Sequence, residues 1–211
     1  MKKRVEYIIK YESKVKSFVR GTFDEKRILK DSAKIHFRTG HNFPLKGLLF
    51  GVKDIINVDG YPTRCGSSLP HELFKGFQAS CVSKLLNAGA IFAGKTVTAE
   101  FAVSDPGETR NPRNLSHTPG GSSSGSGASV AAGFCDIAIG TQTSGSVIRP
   151  AGYCGIIGYK PSFGRISRDG VLLFSNSMDH IGICAKDLNL LEKILFMLLF
   201  LKIRIVVRFI I

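Results

Sequence analysis

Apolar residues recur at helical spacing at the start of the chain, at Val5, Ile8, Ile9, Val15, Phe18 and Val19, with charged residues on the other face. This pattern predicts a helix stopped by Gly21. Thr22 followed by Glu25 has the form of a capping box and predicts a second helix through Ile28 and Leu29. Gly40–Pro44 is a break, after which GLLFGV (47–52) predicts a buried strand ending at Lys53-Asp54. ASCVSKLLNAG (79–89) predicts a helix closed by Gly89, and AIFAG (90–94) a short buried strand. Residues 104–127 are dense in Pro, Gly, Ser and Asn and predict a long loop. SVAAG (129–133) is the rest of a short helix and DIAIG (136–140) another strand. Short apolar strands alternating with helices predict an α/β fold with a mixed, mostly parallel sheet flanked by helices.

Composition narrows the class. The chain has 211 residues, 44% hydrophobic and 21% charged. That is enough for a sizeable core, and it excludes a disulfide scaffold, a collagen-like repeat and a wholly disordered chain. The net charge of +13 raises the question of a polyanionic partner. However, the excess sits at the ends: residues 1–50 carry +8 and residues 151–211 carry +4, against +1 for residues 51–150. A groove through the body of a domain would place it otherwise, so no nucleic-acid partner is expected. The five cysteines, Cys65, Cys81, Cys135, Cys154 and Cys184, form no C-x-x-C pair and predict buried, reduced thiols. The opening MKKRVEYIIKYESK has no apolar core of a secretory signal, so a cytoplasmic location is expected.

Three segments carry candidate chemistry. Gly89-Ala90-Ile91-Phe92-Ala93-Gly94-Lys95-Thr96 matches the phosphate-binding pattern GxxxxGK[ST], but its intervening residues read as a strand and the helix precedes it. A phosphate loop needs the opposite order, so a helix cap, a strand and a turn are expected instead. GGSSSGSGAS (120–129) has the composition of a flexible linker. It nevertheless runs into SVAA, and small residues before a helix leave N–H groups free for an anion or a reacting carbonyl. GTQTSGSVIRPA (140–151) follows a strand directly and places Ser146 in a tight turn. This geometry suits a nucleophile with N–H donors beside it, and equally a strand-to-strand turn with a solvated serine.

Taken with GVKD (51–54), these segments resemble the amidase signature family of serine hydrolases. GVKD, GKTVTAEFA (94–102), NPRNLSHTPGGSSSGS (111–126), GTQTSGSVIRPAGYCGIIGYKPSFGRIS (140–167) and SMDHIG (177–182) stand in the family's order and spacing. The resemblance is strong from Pro44 to Asp187 and weaker before it. It implies a catalytic lysine at Lys53, a serine held by a cis peptide at Ser122, and a nucleophile at Ser146. It also implies an oxyanion hole of backbone N–H groups at Thr143, Ser144 and Gly145. Ser144-Gly145 stands where the family most often has two glycines. The implied reaction is hydrolysis of a small-molecule carboxamide, with no cofactor or metal. Its physical logic is coherent. A serine needs a base, and burial can lower a lysine from about 10.4 until it serves as one. Neutral Lys53 would draw a proton through Ser122 from Ser146, and Ser122 would return it to the leaving amine. Arg149 follows three residues after the nucleophile. Its fork could read a substrate carboxylate or tie the loop to backbone carbonyls.

Two departures shape the remaining expectations. One branch of the family, the glutaminase (A) subunit of a tRNA-dependent amidotransferase, usually has Asp at the place of Gln142, and Arg-Gln at Ile148-Arg149. GTQTSGSVIRPA therefore leans to a general amidase; the alternatives are a catalytically inactive fragment and the glutaminase subunit. Family domains are also about twice this length. The expected division is an N-terminal helical cover (1–43), a partial amidase signature domain (44–187) and an apolar, basic tail (188–211). Residues 190–211 contain no Gly, Pro, Ser, Thr, Asn or Asp. As a membrane span the tail is opposed by Lys202, Arg204 and Arg208, at about +3 kcal/mol each, and no membrane partner is expected. An incomplete domain would leave apolar surface uncovered, admit water around Lys53 and turn over amides poorly.

Overall fold

Short apolar runs with turn residues at both ends form five strands in the computed structural model, which describes residues 1–37 and 43–199. They are β1 (Leu49–Lys53), β2 (Ile91–Thr96), β3 (Ile137–Gln142), β4 (Ile157–Tyr159) and β5 (His180–Ala185). Their order across the sheet is β2-β1-β3-β5-β4. β1 runs parallel to β2 and β3, while β5 is antiparallel to both β3 and β4. Only β5 opposes the common direction, so the sheet is mixed and mostly parallel, as its apolar strands predict.

Alternation along each strand sorts side chains into two cores. Phe50, Val52, Ile137, Ile139, Ile181 and Ile183 face one side. They meet α3 (Ser80–Asn87) and α6 (Leu188–Leu199) there. Leu49, Ile91, Ala93, Ala138 and Cys184 face the other. Helices α1 (Lys2–Val15), α2 (Glu25–Phe37) and α4 (Ser124–Ala131) cover that side. The architecture is thus helix, sheet, helix. All five cysteines are free and buried. Burial pushes the thiols of Cys65, Cys81, Cys135 and Cys184 up to about 12.

Four local expectations change. First, α1 stops at Val15, with Lys16 in the left-handed region at φ 53°. Phe18 and Val19 lie along β2 instead. Phe18 bridges Thr96, and Val19 N–H donates to Lys95 O at 2.8 Å. The helical spacing of apolar residues there serves an edge that needs covering. Second, the α2 cap is Asp24, whose Oδ1 accepts Arg27 N–H at 3.1 Å. Thr22 Oγ1 donates to Val19 O at 2.7 Å and accepts Lys95 N–H at 3.1 Å. Third, the Ser/Gly tract is structure: α4 begins at Ser124 and is buried through Val130. Gly125 is required there, because a Cβ would lie 2.2 Å from Ser17 O.

Fourth, residues 188–199 are a helix in the main core, with Leu191, Ile194, Leu195 and Leu198 buried. Each such side chain contributes about 1.5–3 kcal/mol. The apolar spacing is amphipathic, and its partners are α3 and β5. The rest of the expected tail, 200–211, and residues 38–42, which include 40–42 of the expected break, lie outside the described residues. Among the described residues no helix is long and apolar enough to cross a membrane.

The phosphate-loop pattern dissolves as expected. Gly94-Lys95-Thr96 lies within β2. Lys95 Nζ is fully buried, 2.9 Å from Asp54 Oδ1 and 2.9 Å from Thr63 Oγ1. Burial opposes both charges, and each is the other's main relief. Lys95→Ala would strand a buried carboxylate and is expected to lower folding stability by about 3–5 kcal/mol. A urea midpoint equal to that of the unsubstituted chain would contradict this.

Candidate active site

Lys53 ends β1 with its side chain fully buried. Its Nζ donates to Ser122 Oγ at 2.8 Å and to Thr141 Oγ1 of β3 at 2.9 Å. Burial lowers its pKa to about 7, against the opposing pull of the Asp179 carboxylate. The amine therefore exchanges its proton near neutrality, as a base toward a hydroxyl must. The expectation that water surrounds this lysine is not met. Thr141 carries no signal in the sequence; its hydroxyl is needed because a buried amine with one partner leaves donor capacity unused.

Ser122 follows a cis Gly121–Ser122 peptide bond. The next residue fastens three segments. Ser123 N–H donates to Ser146 O at 3.1 Å, and Ser123 Oγ donates to Thr141 O at 3.1 Å. Gly140 makes room for this serine, since a Cβ there would lie 2.7 Å from Ser123 Oγ. Lys53 and Ser122 are thus in direct contact, and Ser146 is tied beside them through its backbone. Among the described residues Ser146 Oγ has no hydrogen-bond partner, so the third member of the set is adjacent without being bonded.

The loop carrying Ser146 is shaped by Gln142. Its Oε1 accepts Val147 N–H at 2.9 Å and Ile148 N–H at 3.0 Å, and its Nε2 donates to Ser144 O at 3.0 Å. The loop leads into α5 (Ile148–Cys154), so the strand-to-strand turn is not what forms. The N–H groups of Thr143, Ser144, Gly145 and Ser146 donate to no described residue. Thr143 Oγ1 instead donates to Asp179 Oδ1 at 2.5 Å. Gln142 and Asp179 are two shaping residues whose part in the site sequence reasoning misses; SMDHIG is the only signal for the second.

Arg149 is exposed, with its guanidinium over Gly145: a Cβ there would lie 3.1 Å from Nη2. Together with Gly120, Gly121, Ser124 and Tyr153 it lines a cleft of about 310 Å³. Its guanidinium donates to no described residue, so the loop-tying alternative has no bonds to support it.

Comparison with known proteins identifies the family. The Amidase family model matches residues 2–199, including the helical segment before Pro44 and α6. The chain is 46% identical over 149 residues to the A subunit of the glutamyl-tRNA(Gln) amidotransferase of Salinibacter ruber, covering 68% of this chain and 29% of that protein. It superposes on the peptide amidase of Stenotrophomonas maltophilia with a TM-score of 0.84 at 31% identity, covering 94% of this chain and 43% of that one. It superposes on the A subunit of the glutamyl-tRNA(Gln) amidotransferase of Thermotoga maritima with a TM-score of 0.80 at 32% identity, covering 93% and 42%. The chain therefore spans less than half the length of these relatives. Sequence and fold agree over nearly all the described residues, and the chain belongs to the amidase family.

Proposed function

We propose that this chain carries a Lys53–Ser122–Ser146 centre that opens a carboxamide C–N bond through an acyl-enzyme, and that the carboxamide is a glutamine-type primary amide. The 2.8 Å contact between a fully buried lysine and Ser122 is the observation that carries this reading. Neutral Lys53 takes the Ser122 proton as Ser122 takes that of Ser146. Ser146 Oγ attacks the carbonyl carbon, and the oxyanion is met by the free N–H groups of residues 143–146. Ser122 passes a proton to the leaving amine, which departs as ammonia. Water then attacks the ester along the reverse proton route.

The relatives favour the glutaminase subunit over the general amidase to which GTQTSGSVIRPA leans. Their name also brings a charged tRNA and companion subunits into the proposal, against the expectation of no nucleic-acid partner drawn from charge placement. Gln142 and Ile148-Arg149 favour the second reading, a general amidase. Ammonia release from L-glutamine, compared with simple aliphatic and aromatic amides, separates the two. No ammonia from any of these, with no Ser146 acylation by an activated ester, would refute both. In either case Arg149 binds a substrate carboxylate. Arg149→Ala is expected to raise KM for carboxylate-bearing amides by about tenfold to a hundredfold, the worth of a charged hydrogen bond. KM for neutral amides should stay within about twofold. Equal effects on both classes would remove this role.

A further inference from the structure

The SMDHIG segment has no part in the proposed proton route, yet its aspartate is buried against it. Asp179 is 5% exposed. Its Oδ2 accepts Phe174 N–H at 2.6 Å and Ser175 N–H at 2.9 Å, which closes the turn before β5. Its Oδ1 takes the Thr143 hydroxyl. The ladder between β3 and β5 runs Ile137↔Ala185 to Gln142↔His180. Thr143 and Asp179 would be its next rung, and there side chains replace the main-chain bonds. The N–H of Thr143 is thereby left free, while the residue itself is held in line with the sheet.

We propose that Asp179 is a positioning residue, which fixes the loop of residues 143–146 against the sheet so that its N–H groups and Ser146 stay in register with Lys53 and Ser122. The inference rests on the reading of the site given above. A turn-closing carboxylate needs only the Phe174 and Ser175 bonds; the third bond, to the first residue of the nucleophile loop, serves nothing in the turn. Electrostatics agrees with this placement. Burial is the main influence on Lys53, and Asp179 is the first of the charged groups opposing it. The other group acting on Lys53 is Cys184 of β5, which burial keeps as a neutral thiol. Around Asp179 itself, Arg168 donates to the main-chain oxygens of Asn176 and Asp179, at 2.8 and 3.4 Å. The neighbouring His180 ring lies on Met178 O. Neither side chain is bonded to the carboxylate.

Two variants of the full chain test this with readouts that need no turnover. Thr143→Val removes one hydroxyl while keeping the side-chain shape and the turn. Hydrogen exchange at the bonded N–H groups that hold this loop, Ser123 on Ser146 O and Val147 and Ile148 on Gln142 Oε1, is expected to speed up about tenfold, with the melting temperature nearly unchanged and Thr143→Ser restoring protection. Asp179→Asn removes the charge, and the Lys53 titration, followed by NMR of isotope-labelled lysine, is expected to shift to lower pH. Unchanged exchange in Thr143→Val, or an unmoved Lys53 titration in Asp179→Asn, would overturn the proposal and leave Asp179 as a turn clip. If the unsubstituted chain released no ammonia and took no acyl group, the functional reading would fail while both of these measurements still decided the role of Asp179.

Discussion

Ser146→Ala is expected to abolish acyl-enzyme formation. The unsubstituted chain mixed with an activated ester should gain the mass of one acyl group, and the variant none. In a serine hydrolase the loss of the nucleophile costs a factor on the order of 10⁶ in kcat. Folding should be almost untouched, because the hydroxyl has no hydrogen-bond partner among the described residues. An acyl adduct that persists in Ser146→Ala would assign the nucleophile elsewhere. Ser122→Ala is the sharper control on the relay. It removes one of the two hydroxyls that hold Lys53, leaving Thr141 alone at 2.9 Å. A loss of about 10²–10⁴-fold is expected, the usual worth of a positioned proton carrier.

The second large effect is the pH dependence set by Lys53. The amine must be neutral to act, and burial lowers its pKa to about 7. The acylation rate should therefore rise through about pH 7 and level above it. Lys53→Met should lower the rate by about 10²–10⁴-fold and remove the inflection. A flat profile from pH 6 to 10 in the unsubstituted chain would rule the lysine out as base. The same shift acts on folding. Between about pH 7 and the unfolded value of about 10.4, the unfolded chain holds a proton on this lysine and the folded chain does not. The Lys53 contribution to stability thus rises with pH across that window and is lost as pH falls toward 7. At about 1.4 kcal/mol per unit over about 3.4 units, its full size is on the order of 5 kcal/mol. Urea denaturation at pH 7 and pH 9 should show this slope reduced in Lys53→Met. An equal slope in both chains would mean that Lys53 titrates at its ordinary value in the folded state.

What is legible in the chain follows from the range of the interactions involved. Apolar runs locate β1, β2 and β3 within a residue or two, because a strand buried on both faces needs little besides hydrophobicity. The phosphate-loop pattern can be set aside because the helix and strand stand in the wrong order, a purely local fact. Where the sequence misleads, a distant partner intervenes. Phe18 continues the helical spacing of α1, but β2 offers an edge and takes it. The Ser/Gly tract has a linker's composition, but Ser17, Val97 and Pro150 close in on Gly125 and Gly127. The run from Ile194 looks partnerless because α3 lies more than a hundred residues earlier in the chain.

The candidate site divides in the same way. Sequence by itself determined the family, the mostly parallel α/β class, and Lys53, Ser122 and Ser146 as a candidate set, since motif order and residue type are carried in the letters. Only the tertiary structure decided that Lys53 is dry, that Thr141 shares it with Ser122, that Gln142 ties the loop of Ser146 and that Asp179 bonds to its first residue. A lowered lysine pKa is a property of surroundings, and the surroundings of Lys53 come from β1, β3, β5 and the residues before α4. No local window contains those segments together, and burial is what their packing adds.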